Sequence, residues 1–302
     1  MSESNLAEIN MADKTDRPRP VVLLLIDGWG VAPVSEANAV MAAKIPNFFN
    51  LIKEYPVALL DAGKGNLNVR YLSIGSGDLI IEEHYQPITS LSETISRVNC
   101  RQLKIAETER FAALTHFFNS QKAEKFIGED WRIISSDAGN RSVKPFIVLK
   151  RTIKEIISAI KAGGADKYDF IAAALPYLDL IAASGDFFGV KKAVQDIDKM
   201  LRPILDAVLE AGGVLVISAA CGNVEKMRDI NMDTMDLTMT NNPVPLIIAG
   251  DKYKGRTIGL ADPLNSDLSL LAPAGTLADL APTILKIMNI EKPQGMTGKS
   301  LI

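Results

Sequence analysis

Six consecutive aliphatic residues, Val21–Ile26, end abruptly at Asp27-Gly28. A run this short cannot cross a membrane, and one this uniformly apolar must be hidden on both faces, so it reads as a central parallel strand stopping at a turn. Val57–Leu60, Trp131–Ile134, Phe170–Ala174, Val214–Ser218 and Val244–Ala249 read as further strands. Between them apolar residues recur at steps of three or four. Ile153, Ile156, Ile157 and Ile160 mark one helix, and Val190, Val194, Ile197, Leu201, Ile204 and Val208 a long one. Leu277, Leu280, Ile284 and Ile287 mark a last one. Shorter helices are expected over 47–55, with Pro46 near its first turn, and over 106–111. Gly163-Gly164 and Gly212-Gly213 end helices, and Pro203 is expected to kink the longest. Strands alternating with helices predict an α/β fold with a mainly parallel central sheet flanked by helices. Its chemistry would lie at the carboxyl ends of strands, in the loops beginning at Asp27, Ala174 and Ser218.

Residues 61–78, rich in Gly and Asn, read as loop, and 79–103 show no clear period. Residues 1–18 are expected to be a disordered polar leader, with a single domain over 19–302. A chain of 302 residues with a net charge of −3 has core enough to fold but no basic surface for tracking phosphates, so nucleic acid is not an expected partner. Neither is a membrane, because Pro176 and Asp179 interrupt the apolar stretch 169–185. Cys100 and Cys221 lie far apart and form no CxxC pair, which removes the redox and zinc-ribbon readings and suits reduced thiols in the cytoplasm.

The stretch Val21–Gly30 resembles the opening strand and turn of the cofactor-independent phosphoglycerate mutases, members of the alkaline phosphatase superfamily. The likeness continues through Ala37-Asn38-Ala39, Pro46-Asn47, Leu51–Pro56 and Leu72–Gly77, then Ile105–Arg110, Phe117-Phe118-Asn119 and Gly128-Glu129-Asp130. It ends with Ala219–Asn223, Asn242–Pro245, Leu277–Thr283 and Met296–Leu301. The ordered set implies an alkaline-phosphatase-like fold. It also implies an ancestral reaction in which a serine is transiently phosphorylated beside two divalent ions, usually manganese.

Two departures stand against that chemistry. The family inserts a phosphoglycerate-gripping second domain where this chain has only the connection 79–103, too short for a core of its own. The implied catalytic set is also depleted. Leu67, in Gly65-Asn66-Leu67-Asn68, stands where the resemblance places the serine nucleophile. Ala183 replaces a histidine four residues after Asp179, and Ala220-Cys221 replaces an Asp-His pair. Asp236 and Met239 hold the places of two further histidines. Only Asp27 and Asp179 persist, as vestigial ligands, one for each former metal. Missing inner ligands cannot be offset by one carboxylate each, so no cofactor is expected, and at most one weakly held divalent ion.

Each remaining candidate has a bland reading beside the sharp one. Asp27 is a surviving ligand or a turn cap, and turn chemistry favours the cap. Asp179 carries the same choice evenly, and without partners either carboxylate would face water or an amide. Cys221 is a soft ligand, a thiolate or, by preference, a small buried hydrophobe. Lys104 is expected to be exposed rather than aimed at a substrate phosphate. His84 and His116 fall on no ligand position, the glycines at 63, 65, 75 and 77 serve turns, and Met232, Met235 and Met239 would anchor a polar loop. The expected role is a non-catalytic homologue that binds a protein partner or a second copy, with no phosphoglycerate binding. The alternative is phosphotransfer or phosphate-ester hydrolysis at a rebuilt site using Asp27, Asp179 and Cys221 with Asp61, Asp78 or Asp236. A small-molecule sensor in the old cleft is a third reading.

Overall fold

The computed structural model describes residues 17–82, 87, 89–136, 144–229, 234–257 and 267–302. Most of the expected leader, His84 and Met232 lie outside the described residues. In chain order come β1 (Val21–Ile26), α1 (Ala39–Ala42), α2 (Pro46–Glu54), β2 (Val57–Asp61), α3 (Leu67–Ser76) and α4 (Leu91–Arg97). There follow β3 (Gln102–Glu107), α5 (Thr108–Ala112), β4 (Glu129–Ile134), α6 (Pro145–Lys161), β5 (Phe170–Leu175), α7 (Tyr177–Ala182) and α8 (Phe187–Glu210). The remainder is β6 (Val214–Ser218), β7 (Arg228–Asp229), β8 (Thr234–Met235), β9 (Val244–Ala249), β10 (Gly275–Thr276) and α9 (Leu280–Ile287).

Eight strands form one sheet in the order β10-β2-β9-β6-β1-β5-β3-β4. β1 lies parallel between β5 and β6, which explains why all six of its residues are apolar and buried. Within this sheet only β9 is reversed, antiparallel to both β6 and β2. The long helix α8 runs on through Pro203 and packs its Val190, Val194, Ile197, Leu201, Ile204 and Val208 face into the core. No helix among the described residues is long and apolar enough to cross a membrane.

Two expectations need correction, and one open stretch is filled. Residues 67–76 are helical rather than loop: Asn66 caps α3 through the Val69 amide, and Gly77, at φ 65°, ends it. From Val69 onward α3 is buried on every side, so it shows no amphipathic period to read. Gly75 is required there, because a Cβ would collide with the Phe118 carbonyl. Ile105-Ala106 belongs to β3, and the helix begins only at Thr108. Within 79–103, α4 forms behind the Ser90 cap, whose side chain accepts from the Glu93 amide.

Lys104 is also corrected, since it is buried rather than exposed. All of β3 is buried, and its side chains alternate between two covered faces. On one, Lys104 pairs with Glu129 at 2.8 Å, bonds to Asn119 and lies 4.7 Å from the Phe118 ring centroid. Burial lowers the Lys104 ammonium to about 8 against the pull of Glu129. On the other face Glu107 accepts from the Thr152 hydroxyl of α6 at 3.1 Å, and burial raises its carboxyl to about 7.

Two predictions follow from this strand. Lys104→Met strands the Glu129 carboxylate and should cost about 3–5 kcal/mol, read as a lower denaturation midpoint at unchanged slope. Glu107, with its folded pKa above the ordinary 4.5, binds more protons when folded, so its contribution is present at low pH and is lost as pH rises from 4.5 to about 7. Stability measured across that window should fall less steeply in Glu107→Gln than in the parent, by up to about 3 kcal/mol.

Candidate functional site: a cation-bridged pair of aspartates

The parallel neighbours β6, β1, β5 and β3 deliver their following residues to one edge of the sheet. Asp27 follows β1, Asp179 lies in the first turn of α7 after β5, and Arg110 lies in α5 after β3. Ala220, Cys221 and Asn223 follow β6.

These side chains form one network. Arg110 Nε donates to Asp27 Oδ2 at 2.7 Å, and Arg110 Nη2 donates to Asp179 Oδ2 at 2.5 Å. The Tyr71 hydroxyl of α3 donates to Asp27 Oδ2 at 2.8 Å, and the Ala220 amide donates to Asp27 Oδ1 at 3.2 Å. Asn223 Nδ2 donates to Asp179 Oδ1 at 2.7 Å. Asp27 is fully buried, whereas the Asp179 side chain is 26% exposed, so the network opens to solvent on the Asp179 side. Burial pushes the Asp27 carboxyl up, opposed by Arg110, Tyr71 and the Ala220 amide. Burial alone would lower the Arg110 guanidinium, but Asp27, Tyr71 and Asp179 outweigh it and hold it above its ordinary value, so it remains charged.

Two further buried groups fix the loops around the network. Glu225 accepts from the Gly30 amide at 3.1 Å, the Asn223 amide at 2.8 Å, Asn242 Nδ2 at 2.9 Å and the Thr240 hydroxyl. Its carboxylate fills the space a Cβ on Gly30 or Gly222 would need, so both positions require glycine. Arg70 of α3 donates to the carbonyls of Gly63, Gly65, Ala220 and Thr240 and to Asn241 Oδ1. That uses all five of its N–H groups and ties α3 to the loops after β6.

The sequence candidates are distributed unevenly over this arrangement. Asp27 and Asp179 do meet, but through a guanidinium. The premise that the two carboxylates lack partners is therefore corrected: each meets an amide, as expected of it, and the Arg110 cation besides. Cys221 is buried, and burial first, then Asp27 and Asp179, push its thiol well up, so it remains a protonated small hydrophobe rather than a thiolate. Leu67 opens α3 and packs on the core, Ala183 caps α7, and Ala220 contributes only backbone groups. Met239 is half-buried, and Met235 is exposed rather than an anchor. Lys104 belongs to the separate pair with Glu129. Asp61 accepts from the Gly63 amide, Asp78 bonds to Thr297, and Asp236 pairs with Lys226, so each is held locally. His116 stacks edge-on against Phe117.

Two divalent ions do not fit these residues. Among the described residues, no three His, Cys, Asp or Glu side chains gather as a metal would require. The carboxylate oxygens that would ligate ions are already engaged by Arg110, Tyr71, Asn223 and the Ala220 amide. Sequence reasoning missed Arg110, Tyr71, Arg70, Asn223 and Glu225 as site residues. The available signal was electrostatic: two carboxylates held close together need a cation, and Arg110 stands just beyond the end of a strand.

Residues 19–292 match the sequence pattern of the family described as the metalloenzyme superfamily. The 2,3-bisphosphoglycerate-independent phosphoglycerate mutase of Anaplasma phagocytophilum (strain HZ) is 35% identical over 214 residues, covering 70% of this chain and 40% of the relative. The enzyme of the same name from Escherichia coli O157:H7 is 33% identical over 240 residues, covering 78% of this chain and 43% of the relative. The chain thus spans about two fifths of the length of these curated relatives. A phosphoglycerate mutase structure from Leishmania mexicana, at low cobalt concentration, superposes with TM-score 0.57 at 22% identity, over 70% of this chain and 38% of that one. An alkaline phosphatase superfamily protein from Vibrio parahaemolyticus gives 0.60 at 14% identity, over 100% of this chain and 78% of that one. At these identities the structures establish the fold: an alkaline-phosphatase-like sheet without the mutases' inserted second domain.

The crowding around Glu225 gives a direct prediction. Gly222→Ala forces a Cβ against a carboxylate and a Thr240 hydroxyl that are both held by hydrogen bonds. It should cost about 2 kcal/mol in thermal unfolding. Gly163→Ala, where no atom lies within 4 Å of the added methyl, should be near neutral.

Proposed function

The chain belongs to the metalloenzyme superfamily, and from that premise we propose that it is a non-catalytic homologue of the cofactor-independent phosphoglycerate mutases with a binding or structural role. The observation that carries this reading is the combination at the old nucleophile. Leu67, which has neither a hydroxyl nor a lone pair, opens a buried helix, and among the described residues no metal-ligating cluster stands near it. Phosphoryl transfer of the mutase kind needs an oxygen nucleophile and cations to neutralise the transferring group. The hydroxyl and a gathered ligand set for metal cations are both wanting among the described residues, which supports loss of the reaction rather than retuning. A cytosolic role with a protein partner or a second copy suits the composition and the reduced, buried cysteines.

Hydrolysis of a phosphate ester at a rebuilt metal site is the weaker reading, because Asp27 and Asp179 are already engaged by Arg110 and Cys221 holds its proton. The test is turnover. Full-length protein supplied with Mn²⁺ and 3-phosphoglycerate should form no 2-phosphoglycerate above background, and Leu67→Ser alone should not create the activity. Interconversion by the unaltered protein would overturn the proposal.

A further inference from the structure

We infer that Arg110 is the resident cation of this site: its guanidinium stands in for the metal charge, and Asp27 and Asp179 are kept to hold it. This deepens the proposed function and rests on it only in treating the metals as lost.

The geometry is that of a bridge. One planar cation spans two carboxylates that come from different strand ends, through Nε at 2.7 Å and Nη2 at 2.5 Å. A guanidinium can do this because its donors diverge in a fixed fork, whereas a lysine ammonium concentrates its charge at a point. Both Asp27 oxygens and both Asp179 oxygens have donors, so no carboxylate oxygen in the pair lacks a partner. Asp27 is wholly buried and Arg110 nearly so, with 8% of its side chain exposed. A lone buried carboxylate or guanidinium would be far more costly than the pair, so each makes the other necessary. The aspartates are therefore not vestiges. Through Arg110 they tie the ends of β1, β5 and β3 together, as a shared ion would.

The inference separates a cation substitute from an ordinary salt bridge. Taking Arg110 away should leave two facing carboxylates with Asn223 beside them, a set that now favours an added cation. Thermal unfolding is measured for the full chain, Asp27→Asn, Arg110→Met and the double variant, each with and without about 1 mM Mn²⁺. Arg110→Met should lose roughly 5–10 °C, and the double variant should lose less than the two single losses added together. Mn²⁺ should raise the melting temperature of Arg110→Met by a few degrees, because a ligand of the native state stabilises it, and should move neither the parent nor the double variant. Strict additivity, or an Arg110→Met protein indifferent to Mn²⁺, would overturn the inference. If Arg110→Met does not fold, a folded double variant upholds it and an equally unfolded one overturns it. Failure here is distinct from failure of the proposed function, which is read by turnover alone.

Discussion

The buried contact between Arg110 and Asp27 is the constraint around which this edge of the molecule is arranged. A carboxylate at the end of the central strand, fully removed from water, must be met by a cation and by hydrogen-bond donors. The chain supplies them from three directions: Arg110 from beyond β3, Tyr71 from α3 and the Ala220 amide from beyond β6, while Asp179, itself held by Asn223, accepts from the other arm of the guanidinium. Removing any one leaves another group short of a partner. The nearby Arg70 and Glu225 networks extend the same logic, each using its polar capacity on loop backbone.

Fold and chemistry separate cleanly in this protein. The sheet is specified by apolar strands such as Val21–Ile26 and Phe170–Leu175, and by the apolar face of α8, all of them buried in the core. They persist whether or not the loops at their carboxyl ends carry out phosphoryl transfer. The loops carry glycines and two aspartates, and leucine, alanine, cysteine and methionine stand where the family resemblance would place a hydroxyl and imidazoles.

Strands and amphipathic helices were legible because burial on one face or on both leaves a periodic or uniform apolar record. Helix α3 was not, because Val69 to Ser76 is buried all round and its Gly and Asn residues imitate a loop. The direction of β9 was not legible either, since an apolar strand carries no sign of which way it runs. At the site, the identities of Leu67, Ala183, Ala220 and Cys221 could be set residue by residue against what the family resemblance implies. The pairing of Arg110 with Asp27 could not be read, because a salt bridge between residues 83 positions apart exists only in the folded chain. Lys104 was misjudged for the same reason, since Glu129 and Phe118 meet it only once β3 and its neighbours assemble.

The central claim is that an internal guanidinium, not a bound metal, supplies the positive charge at this site. Elemental analysis of the full-length protein, purified without chelators and quantified against its polypeptide, tests it most directly. The account predicts manganese, zinc, cobalt and magnesium near zero per chain. A stoichiometric metal that is lost together with Asp27 and Asp179 would contradict it.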